Sequence, residues 1–225
     1  PAEDPTQAAF MNGANNGINT EHTYPRSKGA ENGNARSDMH HLFPTLVRAN
    51  TDRGVLPFGD ILDSQTDKWY LNDNITTSIP STNIDAYSEL LTNLNFEPRE
   101  KHKGDVARAY FYFYTMYQQD ADQADPSFFD SQVESLCEWT FQDPVDEKEW
   151  DRNNKIAPYQ DDKKNPFILD CRLARLYCDE ISEACMIVNT DNKAIQKMKL
   201  FPNPSSSKLQ IDNISNGRYS YIIYN

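Results

Sequence analysis

The sequence predicts an α+β fold that is mostly helical, and three observations carry that expectation. Apolar and aromatic residues recur at helical spacing over residues 104–117, with further helical stretches at 128–141 and 169–186. Near the N-terminus, two short extended stretches at residues 19–23 and 38–43 precede a segment of helical spacing. At the far end KLQID and RYSYIIY alternate apolar and polar positions around the turn NISNG, the pattern of a short β hairpin.

Taken in order, residues 1–18 are rich in Asn, Gly, Ala and Pro and read as loop. Residues 19–23 are extended and place Glu21 beside His22, and a Gly-, Lys-, Arg- and Asn-rich loop follows. Residues 38–43 read as a second strand. Pro44 and Thr45 are expected to open a helix with Thr45 as its cap, and on that helix Asn50 and Arg53, three apart, share a face. Residues 55–97 look irregular, with an edge strand at 68–71. In the clearest helix Val106, Ala109, Tyr110, Phe113 and Tyr117 form a stripe better explained by core packing than by base stacking. The next helix turns Phe129, Val133, Leu136 and Trp139 inward and is stopped by Pro144. A short charged helix at 146–156 and a last one at 169–186 complete the body, residues 1–188, with a linker and the hairpin over 189–225.

The chain of 225 residues carries a formal charge of -12, which argues against a protein that coats nucleic acid, since phosphate binding is driven by Lys and Arg. The charge is unevenly spread. Residues 20–53 hold five basic residues against four acidic, and residues 99–108 hold four against two. The acidic excess lies at 120–130 and 143–162. No run of about eighteen apolar residues is present to span a membrane, and the opening PAEDP does not read as a leader, as expected of an exported protein whose leader has been removed or of a fragment. Cys137, Cys171, Cys178 and Cys185, the last three spaced by seven, fit one or two disulfides in any of three full connectivities, as expected of an exported protein.

The chemistry concentrates in residues 19–53. A carboxylate (Glu21) and an amide oxygen (Asn50) are hard ligands suited to Mg²⁺, which keeps several of its waters. An adjacent imidazole (His22), with its pKa near neutrality, suits a base that activates water. This is the donor set of a one-metal phosphodiester hydrolase. A zinc site built from His22, His40 and Asp38 is disfavoured by ligand chemistry. His40 and His41 would point to opposite faces of a strand, with His40 in a hydrogen-bonding support role and His41 on the surface.

Three ordered blocks resemble the bacterial endonuclease I family, exported nucleases of the ββα-metal (His-Me finger) type. The first comprises Asn19, Glu21, His22 and Pro25, then Ser37, Asp38, Met39, His40, Leu42 and Pro44, then Asn50, Arg53 and Phe58. The second is FEPREKHKGDVARAYFYFYTMY and the third EWTFQDPVDEKEWDRNNKIAPYQDDKKNPFI. The resemblance implies that His22 is the general base and that Glu21 and Asn50 hold one Mg²⁺, with Mn²⁺ or Ca²⁺ able to substitute. It further implies 5′-phosphate products, with Arg53 and Arg36 neutralising the transition state. Arg26, Lys28 and Arg108 are candidate phosphate contacts, Arg108 the weakest because Asp105 could pair with it. Which arginine takes the family's loop position is open among Arg26, Lys28 and Arg36. Asp38 and His40 are expected to support the site.

The family has a helical region before this strand, where only eighteen loop-like residues stand here, so the domain is read as trimmed or as a fragment. The tail at 200–225 resembles the opening of a type IX secretion sorting domain, on the motif Phe201, Pro202, Asn203, Pro204. That implies export through dedicated secretion machinery. No base-reading device is visible, so the expected partner is DNA, and RNA as well, bound through the backbone by a monomer with little sequence specificity. The competing expectation is a non-catalytic exported binding protein on the same fold.

Overall fold

A computed structural model describes residues 17–179, 199–201 and 210–212. The chain divides into two compact units, Pro1–Val188 and Asn189–Asn225.

The first unit mixes helix and strand. Strands β1 (Ile18–His22) and β2 (Leu42–Leu46) pair antiparallel, with Glu21 opposite Phe43 and His22 opposite Leu42. The short helix α1 (Gly33–Ser37) lies between them, and α2 (Val47–Arg53) follows β2 directly. Two expectations shift here. Residues 39–41 form a 3-10 turn rather than strand, and Pro44 and Thr45 belong to β2, so α2 starts at Val47 with no side-chain cap. Backbone pairing of Thr45 with Asn19 overrides its preference for a cap position.

The stretch expected to be irregular holds a four-stranded antiparallel sheet: β3 (Lys68–Leu71), β4 (Asn74–Thr76), β5 (Ser88–Leu91) and β6 (Asn95–Glu97). The order is β4-β3-β5-β6, which makes β3 an interior strand instead of an edge. Asn72 and Asn93, both at positive φ, turn the two hairpins, a conformation Asn tolerates.

The core is built around α3 (Glu100–Ala124), which bends at Tyr117 (φ -130°, ψ 30°) and continues past the predicted end. Val106, Tyr110, Phe111 and Phe113 are buried along it, each burial contributing about 1.5–3 kcal/mol. Helix α4 (Val133–Gln142) packs on it through Leu136 and Trp139. It begins five residues later than expected, after a run of turns. The charged helix α5 (Glu147–Ile156) is capped by Asp146, whose side chain accepts from the Glu149 amide. The short helix α6 (Pro166–Leu169) precedes the last predicted helix, whose first part is a 3-10 segment at Cys171–Leu176, and residues 180–186 of that prediction lie outside the described residues. Cys137 and Cys178 form a disulfide across 41 residues of sequence, and no described cysteine is free.

In the second unit β7 (Lys199–Phe201) pairs antiparallel with β8 (Gln210–Asp212). The expected hairpin joined residues 208–212 to 218–224, and the latter stretch lies outside the described residues.

Candidate active site

The site is built where α2 crosses β1. Asn50 donates its side-chain nitrogen to Asn19 Oδ1 at 2.8 Å and to the Thr20 carbonyl at 3.2 Å. Its nitrogen is therefore committed to the protein, and Oδ1 is the atom left for a ligand. One turn on, Arg53 is 2 % exposed and bonds with every N–H it has. Nη1 donates to Glu21 Oε1 and to the His22 carbonyl (3.1 Å). Nη2 donates to the Thr23 carbonyl (2.9 Å) and to Tyr110 Oη (3.1 Å), and Nε to the Leu56 carbonyl (3.2 Å). The guanidinium also lies over the Phe58 ring at 4.2 Å. No donor remains for a phosphate. Arg53 sits behind Glu21 and orients its carboxylate, in place of the substrate contact its sequence position suggested.

Glu21 thus has Oε1 taken by Arg53 and Oε2 unbonded. Burial raises its pKa, and the Arg53 charge and hydrogen bond pull against that rise. Glu21 Oε2 and Asn50 Oδ1 are hard oxygen donors on adjoining elements, each in a group whose other atom is anchored. Two such ligands fit a Mg²⁺ ion that retains waters. No cluster of three or more His, Cys, Asp or Glu side chains fit for a metal occurs among the described residues, and in the zinc alternative both Asp38 oxygens are already taken by hydrogen bonds within the fold.

His22 lies at the end of β1. Its Nε2 is 2.9 Å from the Arg36 carbonyl, and a carbonyl only accepts, so Nε2 carries the proton and Nδ1 the lone pair. Burial lowers the His22 pKa, the Arg36 carbonyl opposes this, and the nearby Arg26 and Arg36 charges lower it further. The ring is neutral at neutral pH. Sequence reasoning put His41 on the surface, but it is fully buried, its Nε2 donating to the Ala35 carbonyl at 2.7 Å. Its ring packs against Phe113 at 4.7 Å and edge-on to His22 at 5.6 Å. Burial pushes its pKa down to about 4, so it backs His22 as a neutral ring. The 3-10 turn at 39–41, which buries both rings, was the missing signal.

Asp38 anchors that turn. Oδ1 accepts from His40 N (3.0 Å) and Nδ1 (2.8 Å), and Oδ2 accepts from Tyr112 (2.8 Å) and Tyr117 (2.7 Å) on α3. Burial alone would raise its pKa, but these hydrogen bonds win and hold it below the ordinary carboxylate range.

The remaining candidates separate. Arg36 is exposed beside His22, and Arg26 forms an exposed pair with Glu31 at 2.6 Å. Lys28 is drawn to α3, bonded to Asp125 at 2.7 Å and over the Phe128 ring at 5.1 Å. Arg108 is 1 % exposed and forks onto Glu149 at 2.8 and 2.6 Å, with Asp105 farther away at 3.6 Å. A guanidinium so enclosed holds α3 to α5 and does not meet substrate.

An antiparallel strand pair followed by a helix, presenting a carboxylate, an amide and a neutral imidazole, defines a protein with a compact hydrolytic-type donor set. Residues 3–171 match the model of the Endonuclease I family, and the chain belongs to it. It is 32% identical over 172 residues to an extracellular ribonuclease of Bacillus subtilis (strain 168), covering 70% of this chain and 53% of that one. A second extracellular ribonuclease, from Bacillus amyloliquefaciens, is 30% identical over 176 residues, covering 72% and 55%. The chain spans about half the length of these curated relatives. No described helix is long and apolar enough to cross a membrane.

Proposed function

We propose that this chain is an exported, Mg²⁺-dependent endonuclease that hydrolyses DNA and RNA with little sequence preference. The observation that carries the reading is the polarised His22 ring: Nε2–H is held by the Arg36 carbonyl, leaving Nδ1 basic, next in sequence to Glu21 and its neighbour Asn50. The family and the two extracellular ribonucleases support a nucleic-acid substrate and export. The tail beginning at Leu200 is proposed to serve as a type IX sorting segment.

Glu21 Oε2 and Asn50 Oδ1 would hold the ion. Bound there, it would offset negative charge on the scissile phosphate and on the leaving 3′ oxygen. His22 Nδ1 takes the proton from water as the oxygen attacks phosphorus, which leaves the phosphate on the 5′ product. Such a base contributes about 10²–10⁴-fold. Arg53 keeps Glu21 in place. Arg36, exposed beside the imidazole, meets the phosphate, and Arg26 is free to exchange its weak surface pair for it. The monomer suffices, since every group comes from one chain.

The test is plasmid and RNA degradation in Mg²⁺ and in excess EDTA, wild type against His22→Ala. Cleavage lost on chelation and on substitution is the expected result. Cleavage that survives His22→Ala moves the base elsewhere. A folded wild type that binds nucleic acid without cutting it would instead make this a binding protein on a nuclease fold.

A further inference from the structure

Beside β2 the surface opens into a groove of about 540 Å³ that the site above does not use. One wall is Met39, Leu42 and Pro44. The other is a single face of α5, where Lys148, Arg152 and Lys155 recur at four and three, with Tyr159 following at four.

Its position relative to the catalytic strand follows from register. Leu42 and Pro44 pair with His22 and Thr20. Residues directly opposite on antiparallel strands share a face, their Cβ atoms about 5 Å apart. The groove therefore starts on the His22 side of the strand pair, with α5 as its second wall.

Its lining is cationic. In a chain of net -12, three cations line one groove, against the single carboxylate of Asp151. Lys148 and Lys155 are exposed, and Lys155 meets Asp151 only at 3.9 Å. Arg152 donates Nη2 to the Met39 and Leu42 carbonyls at 2.7 and 2.6 Å and covers the Phe43 ring at 4.0 Å. Its hydrogen bonds go to carbonyls, and the nearby Asp105 and Glu149 carboxylates offset its charge in part, so the lysines are the cations open to a ligand. Tyr159, also in the lining, is 75% exposed, an unusual position for an aromatic residue.

We infer that this groove binds a single-stranded stretch of the nucleic acid flanking the scissile phosphate, with Lys148 and Lys155 on backbone phosphates and Tyr159 stacked under an unpaired base. A cationic track with an aromatic platform is how unpaired strands are held without sequence readout. A duplex offers Tyr159 no open base face. The inference rests on the nuclease reading and extends it to substrate form.

The test is fluorescence anisotropy with a labelled homopolymer of about twelve nucleotides, in DNA and RNA forms, alone and with its complement. The protein carries His22→Ala and is kept in EDTA, so strands stay intact. Lys148→Ala/Lys155→Ala is expected to weaken single-strand binding about tenfold and to reduce the log–log salt slope by roughly 1.4, two phosphates' worth. Tyr159→Ala should weaken it at least about fivefold while duplex binding holds. All three positions are exposed, so the variants fold. The charge-matched control is Lys101→Ala/Arg175→Ala, at exposed residues outside the groove.

Equal losses in that control would mean diffuse attraction and overturn the groove, as would wild-type binding by the lysine variant. Equal losses on single strand and duplex in Tyr159→Ala would overturn the single-strand assignment. The two readings fail separately. A protein that cuts but ignores these substitutions keeps the nuclease and loses the groove. One that needs them to bind but never cuts does the reverse.

Discussion

Arg53 and Glu21 form a buried ion pair in which the arginine has no N–H left to offer anything else. The pair joins the last turn of α2 to β1 and fixes which carboxylate oxygen stays open. Removing the arginine leaves a buried carboxylate alone, along with three carbonyls and a tyrosine hydroxyl that lose donors. Arg53→Ala should therefore cost about 3–5 kcal/mol in urea unfolding. Arg53→Lys should recover little of it, because an ammonium cannot reproduce the planar fork. Glu21→Gln should cost only about 1–3 kcal/mol, since Arg53 keeps its carbonyl acceptors. In the same samples Mg²⁺ should raise the melting temperature of wild type but not of Glu21→Gln. A Mg²⁺ shift that survives in Glu21→Gln would remove Glu21 from the ion's ligands.

Asp38 is the second anchor, with four hydrogen bonds accepted by one carboxylate. Asp38→Ala strands His40 and two tyrosine hydroxyls in the interior, and a loss of about 3 kcal/mol or more is expected. Asp38→Asn keeps one acceptor oxygen and should lose about half as much. Its pKa is depressed on folding, so its contribution is present above the unfolded carboxylate pKa and fades as pH falls into the acid range. Chemical denaturation of both variants at pH 7 and pH 3 separates them. The Asp38→Ala deficit should shrink at pH 3, and a deficit independent of pH would contradict the assignment.

How much of this was readable from residues alone depended on how local the signal was. The long helix, the charged helix and the adjacency of Glu21 and His22 are short-range features, and all were legible, although Asp146 proved to be the charged helix's cap and not its first residue. The four-stranded sheet was hidden because its strands are three or four residues long, although Asn72 and Asn93 marked its turns. The roles of Arg53, Arg108 and His41 were beyond reach for another reason. Tyr110 lies 57 residues from Arg53, Glu149 lies 41 from Arg108, and His41 is buried by Phe113 of a distant helix. Sequence proximity to a motif made each arginine look like a phosphate contact. Only the tertiary partners showed which charges were already spent.

Gly104 gives a prediction whose sign opposes the general rule. In an exposed helix, Gly→Ala is stabilising by about 1 kcal/mol. Here a Cβ would sit 1.8 Å from the Asp143 carbonyl oxygen and 2.8–2.9 Å from the Arg108 guanidinium nitrogens. The Gly104 amide also donates to Asp143 Oδ2 at 2.9 Å. The end of α4 is thus seated directly on the α3 backbone. Gly104→Ala must push the two apart and disturb the Arg108–Glu149 pair, so a loss above about 3 kcal/mol is expected in thermal or urea unfolding. A neutral or stabilising result would mean that the two helices are not in contact there.

Glu89 and Glu97 face each other across β5 and β6, both buried. Lys103 bonds to Glu97 at 2.7 Å, whereas Glu89 has only the Thr66 hydroxyl at 2.5 Å. Burial pushes the Glu89 pKa up to about 7; the Thr66 bond opposes that rise, and the charges of Glu97 and Asp63 add to it. The folded pKa is thus raised above the unfolded value of about 4.5. Its stabilising contribution is therefore fully present below pH 4.5 and is lost as pH rises through 7. Glutamine mimics the protonated acid without titrating. Glu89→Gln should match wild type at pH 4.5 and exceed it at pH 8 by about 1–3 kcal/mol, with the gap opening between pH 5 and pH 8. Urea midpoints of the two proteins across that range decide the matter. Curves that stay parallel would show that Glu89 is ionised throughout, with Lys103 serving both carboxylates.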